Sequence, residues 1–394
     1  MDHATSVRNA RREAETFSPA LRQALDELGD TNPGLARAIL EDGVGRVMRN
    51  SALDHREWAM LVLVSLIAIG DTGDQLNVYL EAALHQGASV DEIHSAIELA
   101  CAYVGAPRAA NSARRLALRL QRGETPLLGR GEAIVSVGDH ETAVSDTGGD
   151  GVPLLLLHSL GLDRRFWQPA TARLPAGLRI IAYDLRGHGH ARGAPLTTGL
   201  EQLAADAVAL LDRLGIERAD VCGSSYGGAI AQHVALAAPH RVRSLILIGT
   251  AARSPQGALA ARAKAAETDG MASQVAPSLM RWFLPETIAE NRWPVRYARS
   301  LVRRAWVEEW SAAWRAMAGL DVLDRLPDLA MPALVLAGAQ DKSAPADLAM
   351  RPIAAALRRA EYRLIDPGSH LMAIEQPDAV AAAILAFCTR IEDI

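Results

Sequence analysis

The stretch Val221-Cys222-Gly223-Ser224-Ser225-Tyr226-Gly227-Gly228 constrains this chain more than any other. It fits Gly-x-Ser-x-Gly, a pattern that seats a serine on a sharp strand-to-helix turn with its hydroxyl above the end of a sheet. Glycine at 223, 227 and 228 lets neighbouring backbone pass close to that turn. Alone the pattern is weak, because Gly and Ser are common in loops. Its surroundings strengthen it. Residues 203–214 carry apolar side chains at helical spacing, and Ala219-Asp220-Val221 enters the turn as a short strand. Residues 229–237 have the small, apolar pattern of a buried helix, and Val242–Ile248 reads as a buried strand. That order predicts an α/β fold, a mostly parallel sheet with helices on both faces.

A serine hydroxyl is a poor nucleophile until a base takes its proton, and the base in turn needs an orienting acid. Both can be sought downstream, acid first and histidine last. The apolar strand 332–338 ends at Gly338, and Asp341 lies just beyond it. The short strand 362–365 leads into Pro367-Gly368-Ser369-His370. Ser225, Asp341 and His370 thus each follow the C-terminal end of a predicted parallel strand, the edge where α/β sheets build ligand sites. Asp366 is a rival acid, but it lies too near His370 along the chain. An oxyanion needs two backbone N–H donors, one after the nucleophile and one from an early loop. The first falls to Tyr226. The strand 152–157 followed by His158-Ser159-Leu160-Gly161 supplies the second, at Leu160. His158 and His188 (in Asp184-Leu185-Arg186-Gly187-His188-Gly189) are read as residues that brace loops.

Taken together, His158-Ser159-Leu160-Gly161-Leu162-Asp163, the Asp-x-Arg-Gly-His-Gly run, Gly-Ser-Ser-Tyr-Gly-Gly, Gly338-x-x-Asp341 and Ser369-His370-Leu371 resemble the α/β-hydrolases. More narrowly they resemble 3-oxoadipate enol-lactonases, over roughly residues 130–394. The resemblance implies a helical lid over the site, here residues 252 to about 326, which hold five of the seven tryptophans. Trp282 and Trp310 are the expected pocket-lining pair. The lactone of that pathway carries a carboxylate, which calls for a nearby cation, and Arg165 is favoured because it follows the oxyanion loop. The early lid, 255–259, lacks the aromatic residue that enol-lactonases often carry there, which points to a different substrate.

Residues 1–122 have another texture. They are helical in pattern, with Asn32-Pro33 as a helix start and capping boxes at Asp54-x-x-Glu57 and Ser89-x-x-Glu92. The helix over 59–69 is apolar almost all round and predicts burial on every side, against another subunit. Leu53-x-x-Arg56-Glu57, Glu81-Ala82-Ala83-Leu84-x-x-Gly87 and Ala102-Tyr103-Val104-Gly105-Ala106-Pro107 resemble the carboxymuconolactone decarboxylases. That family usually carries Glu-x-x-x-His one turn before the Ala-Ala-Leu segment, and this chain has Gln75 and Tyr79 there. Gln cannot ionise, and Tyr, with a reference pKa of about 10, exchanges protons poorly at neutral pH. A degenerate domain kept for homo-oligomerisation is the expectation. His85 and His94 are placed on solvated helix faces.

The chain therefore divides into a helical domain over 1–122, a Gly- and Pro-containing linker over 123–131 and a hydrolase domain over 132–394. Half the residues are apolar and the net charge is −5, which argues against a nucleic-acid partner. Three dispersed cysteines, Cys101, Cys222 and Cys388, suit the reducing cytoplasm. No membrane segment, metal cluster or cofactor motif is expected. The leading functional expectation is hydrolysis of a lactone or ester through an acyl-enzyme. The alternative is a non-hydrolytic cyclase or isomerase of a biosynthetic pathway using the same pocket, and a pure ligand-binding protein ranks third.

Overall fold

In the computed structural model, residues 14, 17–48, 51–70, 74–88, 90–121, 132–149, 151–175, 177–254 and 257–392 are described. The chain forms two compact units, Met1–Arg130 and Gly131–Ile394.

The described part of the first unit is helical. It comprises α1 (Pro19–Thr31), α2 (Pro33–Ala38), a π-helical segment (Ile39–Met48), α3 (His55–Ile69), α4 (Asp74–His85), α5 (Val90–Val104) and α6 (Ala106–Gln121). Local chemistry sets the helix starts. The Asn32 side chain accepts from the Leu35 amide at 3.1 Å and opens α2. At α3 the Asp54 carboxylate accepts from the Glu57 amide (2.8 Å) and the Glu57 carboxylate from the Asp54 amide (3.1 Å), a reciprocal cap. The box expected at Ser89 and the linker expected over 123–131 lie outside the described residues. Phe17, Leu63, Ile67, Leu80, Ile93 and Leu116 form the centre of the core.

In α3 only Ala59, Leu63 and Ile67 are buried, whereas Leu61 is 55% and Ile69 69% exposed. A single unit has neighbours for one face of this helix and not for the rest. His85 and His94 are half-buried rather than solvated.

The second unit is built on an eight-stranded sheet. Its strands are β1 (Glu132–Val137), β2 (His140–Asp146), β3 (Leu154–Leu157), β4 (Ile180–Tyr183), β5 (Ala219–Ser224), β6 (Val242–Ile248), β7 (Ala333–Gly338) and β8 (Ala360–Ile365), in spatial order β1-β2-β4-β3-β5-β6-β7-β8. The β1–β2 hairpin and the β2–β4 pair are antiparallel, and all other pairs are parallel. Strands β3, β5 and β7 are buried along their whole length, as continuous apolar runs in a covered parallel sheet require. Helix α7 (Leu200–Arg213) precedes β5, and α8 (Tyr226–Ala237) follows it. Between β6 and β7 the chain leaves the sheet to form a lid of α9 (Ala258–Trp282), α10 (Pro285–Glu290), α11 (Trp293–Arg304) and α12 (Val307–Ala318). Pro255 and Gln256, at the start of that insertion, lie outside the described residues. Among the described residues, no helix is long and apolar enough to cross a membrane.

Candidate active site

Strand β5 hands the chain to α8 through Ser225, whose φ of 53° and ψ of −110° lie in a region side-chain-bearing residues rarely occupy. The turn is held from outside. The Ser225 amide donates to the Ile248 carbonyl at 2.9 Å, and the Thr250 hydroxyl donates to the Ser225 carbonyl at 2.7 Å. Gly227 is needed for close approach, because a Cβ there would collide with the backbone carbonyl of Leu157 at the end of β3. The Ser225 side chain is left partly accessible in an otherwise buried segment.

Three strand ends meet at this turn. His370 Nε2 lies 2.8 Å from Ser225 Oγ, and His370 Nδ1 lies 2.9 Å from Asp341 Oδ2. Asp341 is itself fixed, because its Oδ1 accepts the amides of Ser343 (2.7 Å) and Ala344 (2.8 Å). An ionised carboxylate only accepts, so the network assigns the ring proton to Nδ1 and leaves the Nε2 lone pair facing the serine hydroxyl. Asp366, the rival acid, is exposed.

The loop after β3 lies alongside. Ser159 Oγ bonds the Ser224 hydroxyl at 3.1 Å and so ties this loop to the nucleophile turn. Among the described residues, neither the Leu160 amide nor the Tyr226 amide donates a hydrogen bond. Both donors are therefore uncommitted among the described residues. His158 is wholly committed to the scaffold: Nε2 accepts from the Leu185 amide and Nδ1 donates to the Ser159 carbonyl, each at 2.9 Å. Burial pushes its pKa down to about 4, so it stays neutral near pH 7. His188 is likewise driven to about 4, first by burial and then by His158 nearby. Both brace loops.

Arg165 stands where the sequence places it, but its guanidinium is closed onto Asp163. Nε lies 3.1 Å from Oδ1 and Nη2 2.5 Å from Oδ2, and the Tyr297 hydroxyl adds a third contact to Oδ1 at 2.9 Å. Burial alone would raise the Asp163 pKa. The charge and hydrogen bonds of Arg165 outweigh it and hold the carboxyl well below the usual range. The charge expected to meet a substrate carboxylate is thus paired with Asp163 within the protein. The tie from Asp163 to Tyr297 joins the oxyanion loop to the lid over 134 positions of sequence. No local spacing could have indicated it.

Trp282 and Trp310 do border the site. The Trp282 carbonyl accepts from the Leu371 amide, next to His370, at 3.2 Å. The Trp310 ring lies against Gly161, so closely that a Cβ at 161 would be 2.5 Å from it. The two indoles are tilted against each other, with ring centroids 6.4 Å apart. Among the described residues, no group of three or more His, Cys, Asp and Glu is arranged to hold a metal ion.

Residues 152–377, more than half of the chain, match the family described as alpha/beta hydrolase fold. The chain belongs to the α/β-hydrolase family. Within that family this hydrolase is 30% identical over 255 residues to a 3-oxoadipate enol-lactonase of Acinetobacter baylyi, an alignment covering 64% of this chain and 94% of the relative. The solved enol-lactonase of Burkholderia xenovorans superposes with a TM-score of 0.63 at 30% identity, covering 65% of this hydrolase and all of that chain. A thermophilic esterase from Thermogutta terrifontis superposes at 0.62 with 28% identity, covering 66% and 98%. Residues 34–118 match the carboxymuconolactone decarboxylase family, so the hydrolase carries that unit at its N-terminal side.

Proposed function

We propose that the hydrolase unit opens a lactone or an ester by nucleophilic catalysis at Ser225. The observation that carries this reading is the continuous hydrogen-bond chain from Ser225 through His370 to Asp341. His370 takes the hydroxyl proton as Ser225 attacks the carbonyl, and Asp341 stabilises the imidazolium that results. The open amides of Leu160 and Tyr226 receive the oxyanion. The C–O bond then breaks with return of the proton to the leaving oxygen, and water deprotonated by His370 releases the acid from the acyl-enzyme. The names of the enol-lactonase and esterase relatives support an acyl–oxygen bond as the target. A fluorophosphonate probe followed by peptide mass spectrometry should place one adduct on Ser225. A protein that stays unlabelled contradicts the reading.

For the N-terminal unit we infer an oligomerising role without decarboxylase chemistry. Gln75 is exposed and cannot ionise. Burial pushes the Tyr79 phenol up to about 12, and its ring packs 6.2 Å from Phe17 and 6.3 Å from Trp58. Leu61, Ile69, Leu99 and Tyr103 leave apolar surface uncovered, which supports contact with a second copy. Sedimentation should give an oligomer that Leu61→Glu with Tyr103→Glu dissociates, and the protein should release no CO2 from carboxymuconolactone. A monomeric wild type overturns the first point, and CO2 release overturns the second. No disulfide joins Cys101, Cys222 or Cys388, which supports a reducing, cytoplasmic location that cell fractionation would check.

A further inference from the structure

The Leu160 amide sits in a tight turn from Ser159 to Leu162, closed by the Leu162 amide donating to the Ser159 carbonyl at 3.2 Å. A donor in a turn is only as well placed as the turn itself. One end of this turn is tied to the nucleophile strand through Ser159 and Ser224. The other end is held by the lid. The Trp310 ring of α12 covers Gly161, whose φ of 76° and missing side chain let the ring come that close. Tyr297 of α11 reaches Asp163, just past the turn. Its hydroxyl lies 2.9 Å from Asp163 Oδ1, and 3.3 Å from both the amide nitrogen and the carbonyl oxygen of the same residue. The hydroxyl has one proton, and the shorter bond, to the carboxylate, claims it. A lone pair is then left to accept from the Asp163 amide. Among the described residues that hydroxyl is the one acceptor the amide has.

The groups around this contact are fixed without it. Asp163 keeps its ion pair with Arg165, whose amide also donates to Asp163 Oδ1 at 3.0 Å. Arg164 is anchored on Asp184, after β4, through its amide and its guanidinium, each at 2.8 Å. The Tyr297 ring stacks on Trp293 one turn earlier in α11, with centroids 5.2 Å apart. What depends on the hydroxyl is the main chain between Gly161 and Arg164, the segment that leads out of the oxyanion turn. Burial, and then Asp163, push the Tyr297 phenol well above its ordinary pKa, so it keeps its proton at neutral pH. The lid is also fastened elsewhere. The Glu375 carboxylate accepts from the Leu284 amide at 3.2 Å and from the Thr287 hydroxyl of α10. That fastening involves no residue of the oxyanion turn.

We propose that Tyr297 is a positioning residue for the oxyanion hole, holding the Leu160 donor in place through the Asp163 main chain, so that the hole is complete only with the lid seated. This rests on the triad reading, in which the Leu160 amide meets an oxyanion. Tyr297→Phe removes the hydroxyl and keeps the ring. With p-nitrophenyl butyrate its kcat should fall roughly 10- to 100-fold, the range for a donor displaced rather than deleted, while KM changes little. The second readout is inhibition by n-butylboronic acid. Its empty boron orbital takes a lone pair from Ser225 Oγ as the hydroxyl proton passes to His370, giving a tetrahedral anion. Affinity for that adduct should fall by the same factor as kcat. Hydrogen exchange of a peptide spanning 159–163 should quicken in the same variant. Thr287→Val, which loosens the lid away from the turn, should leave all three readouts unchanged. Equal losses in Thr287→Val overturn the proposal. So do kcat and boronic acid affinity unmoved in Tyr297→Phe, even with faster exchange, because Tyr297 would then hold the loop without placing the donor. Turnover lost in Ser225→Ala but kept in Tyr297→Phe overturns the proposal alone. Turnover that survives Ser225→Ala, or a wild type inert toward both ester and boronic acid, overturns the triad reading and this proposal with it.

Discussion

Ser225→Ala should lower kcat on an activated ester or lactone by roughly six orders of magnitude, the loss seen when a triad acting as one unit is deprived of its nucleophile. The substitution removes one oxygen and leaves the surroundings intact. The backbone at 225 is already held by Ile248 and Thr250, through main-chain atoms the substitution does not touch. His370 keeps its bond to Asp341. What disappears is the only atom of the turn positioned to bond with His370 Nε2 and attack a carbonyl. A residual acceleration of roughly 10³–10⁴ over water should survive, because the Leu160 and Tyr226 amides and the lid remain in place. The measurement is single-turnover release of p-nitrophenol beside a thermal melt, which should show no loss of folding. Turnover within tenfold of wild type would sink the nucleophilic reading and favour a non-hydrolytic cyclase or isomerase.

The parts of this site that the sequence makes legible share a physical property: each is local. A strained serine turn needs glycine within two residues, and an apolar strand followed at once by Asp or His writes its site residue at its own end. Ser225, Asp341 and His370 are therefore readable one by one, and the parallel sheet then brings their ends to one edge. The lid is different. Contacts from Asp163 to Tyr297, Gly161 to Trp310 and Arg262 to Trp314 depend on how helices dock, and no period or spacing records docking. That is why Arg165, adjacent to the loop in sequence, is favoured as an anion-binding residue, while the structure gives its charge to Asp163. Apolar pattern in α3 stops short for a related reason. It reports that a face avoids water but not whether the cover comes from the same chain, and Leu61 and Ile69 find none within it.

Asp341→Asn should lower kcat by about 10⁴, through the tautomer of His370 rather than through lost packing. The two shapes are nearly identical, so the argument turns on which end of the new amide points where. The Asp341 Oδ1 position faces two backbone N–H donors, from Ser343 and Ala344. Only the carbonyl oxygen of an asparagine can sit there, because an NH2 group would leave both donors unsatisfied and opposed. The asparagine NH2 must then point at His370 Nδ1, where the carboxylate oxygen had been. To accept that hydrogen bond, Nδ1 gives up its proton, and the neutral ring carries it on Nε2 instead. Nε2 is the atom 2.8 Å from Ser225 Oγ, so the base now presents a proton where it needs a lone pair. Fluorophosphonate labelling at Ser225 should slow in parallel with kcat, while KM and the melting temperature change little. Asp341→Ala removes the wrong donor along with the right acceptor, so it should do no worse than Asn despite the larger loss of volume. An Asn variant that retains a tenth or more of wild-type kcat would show that Asp341 does not set the histidine tautomer.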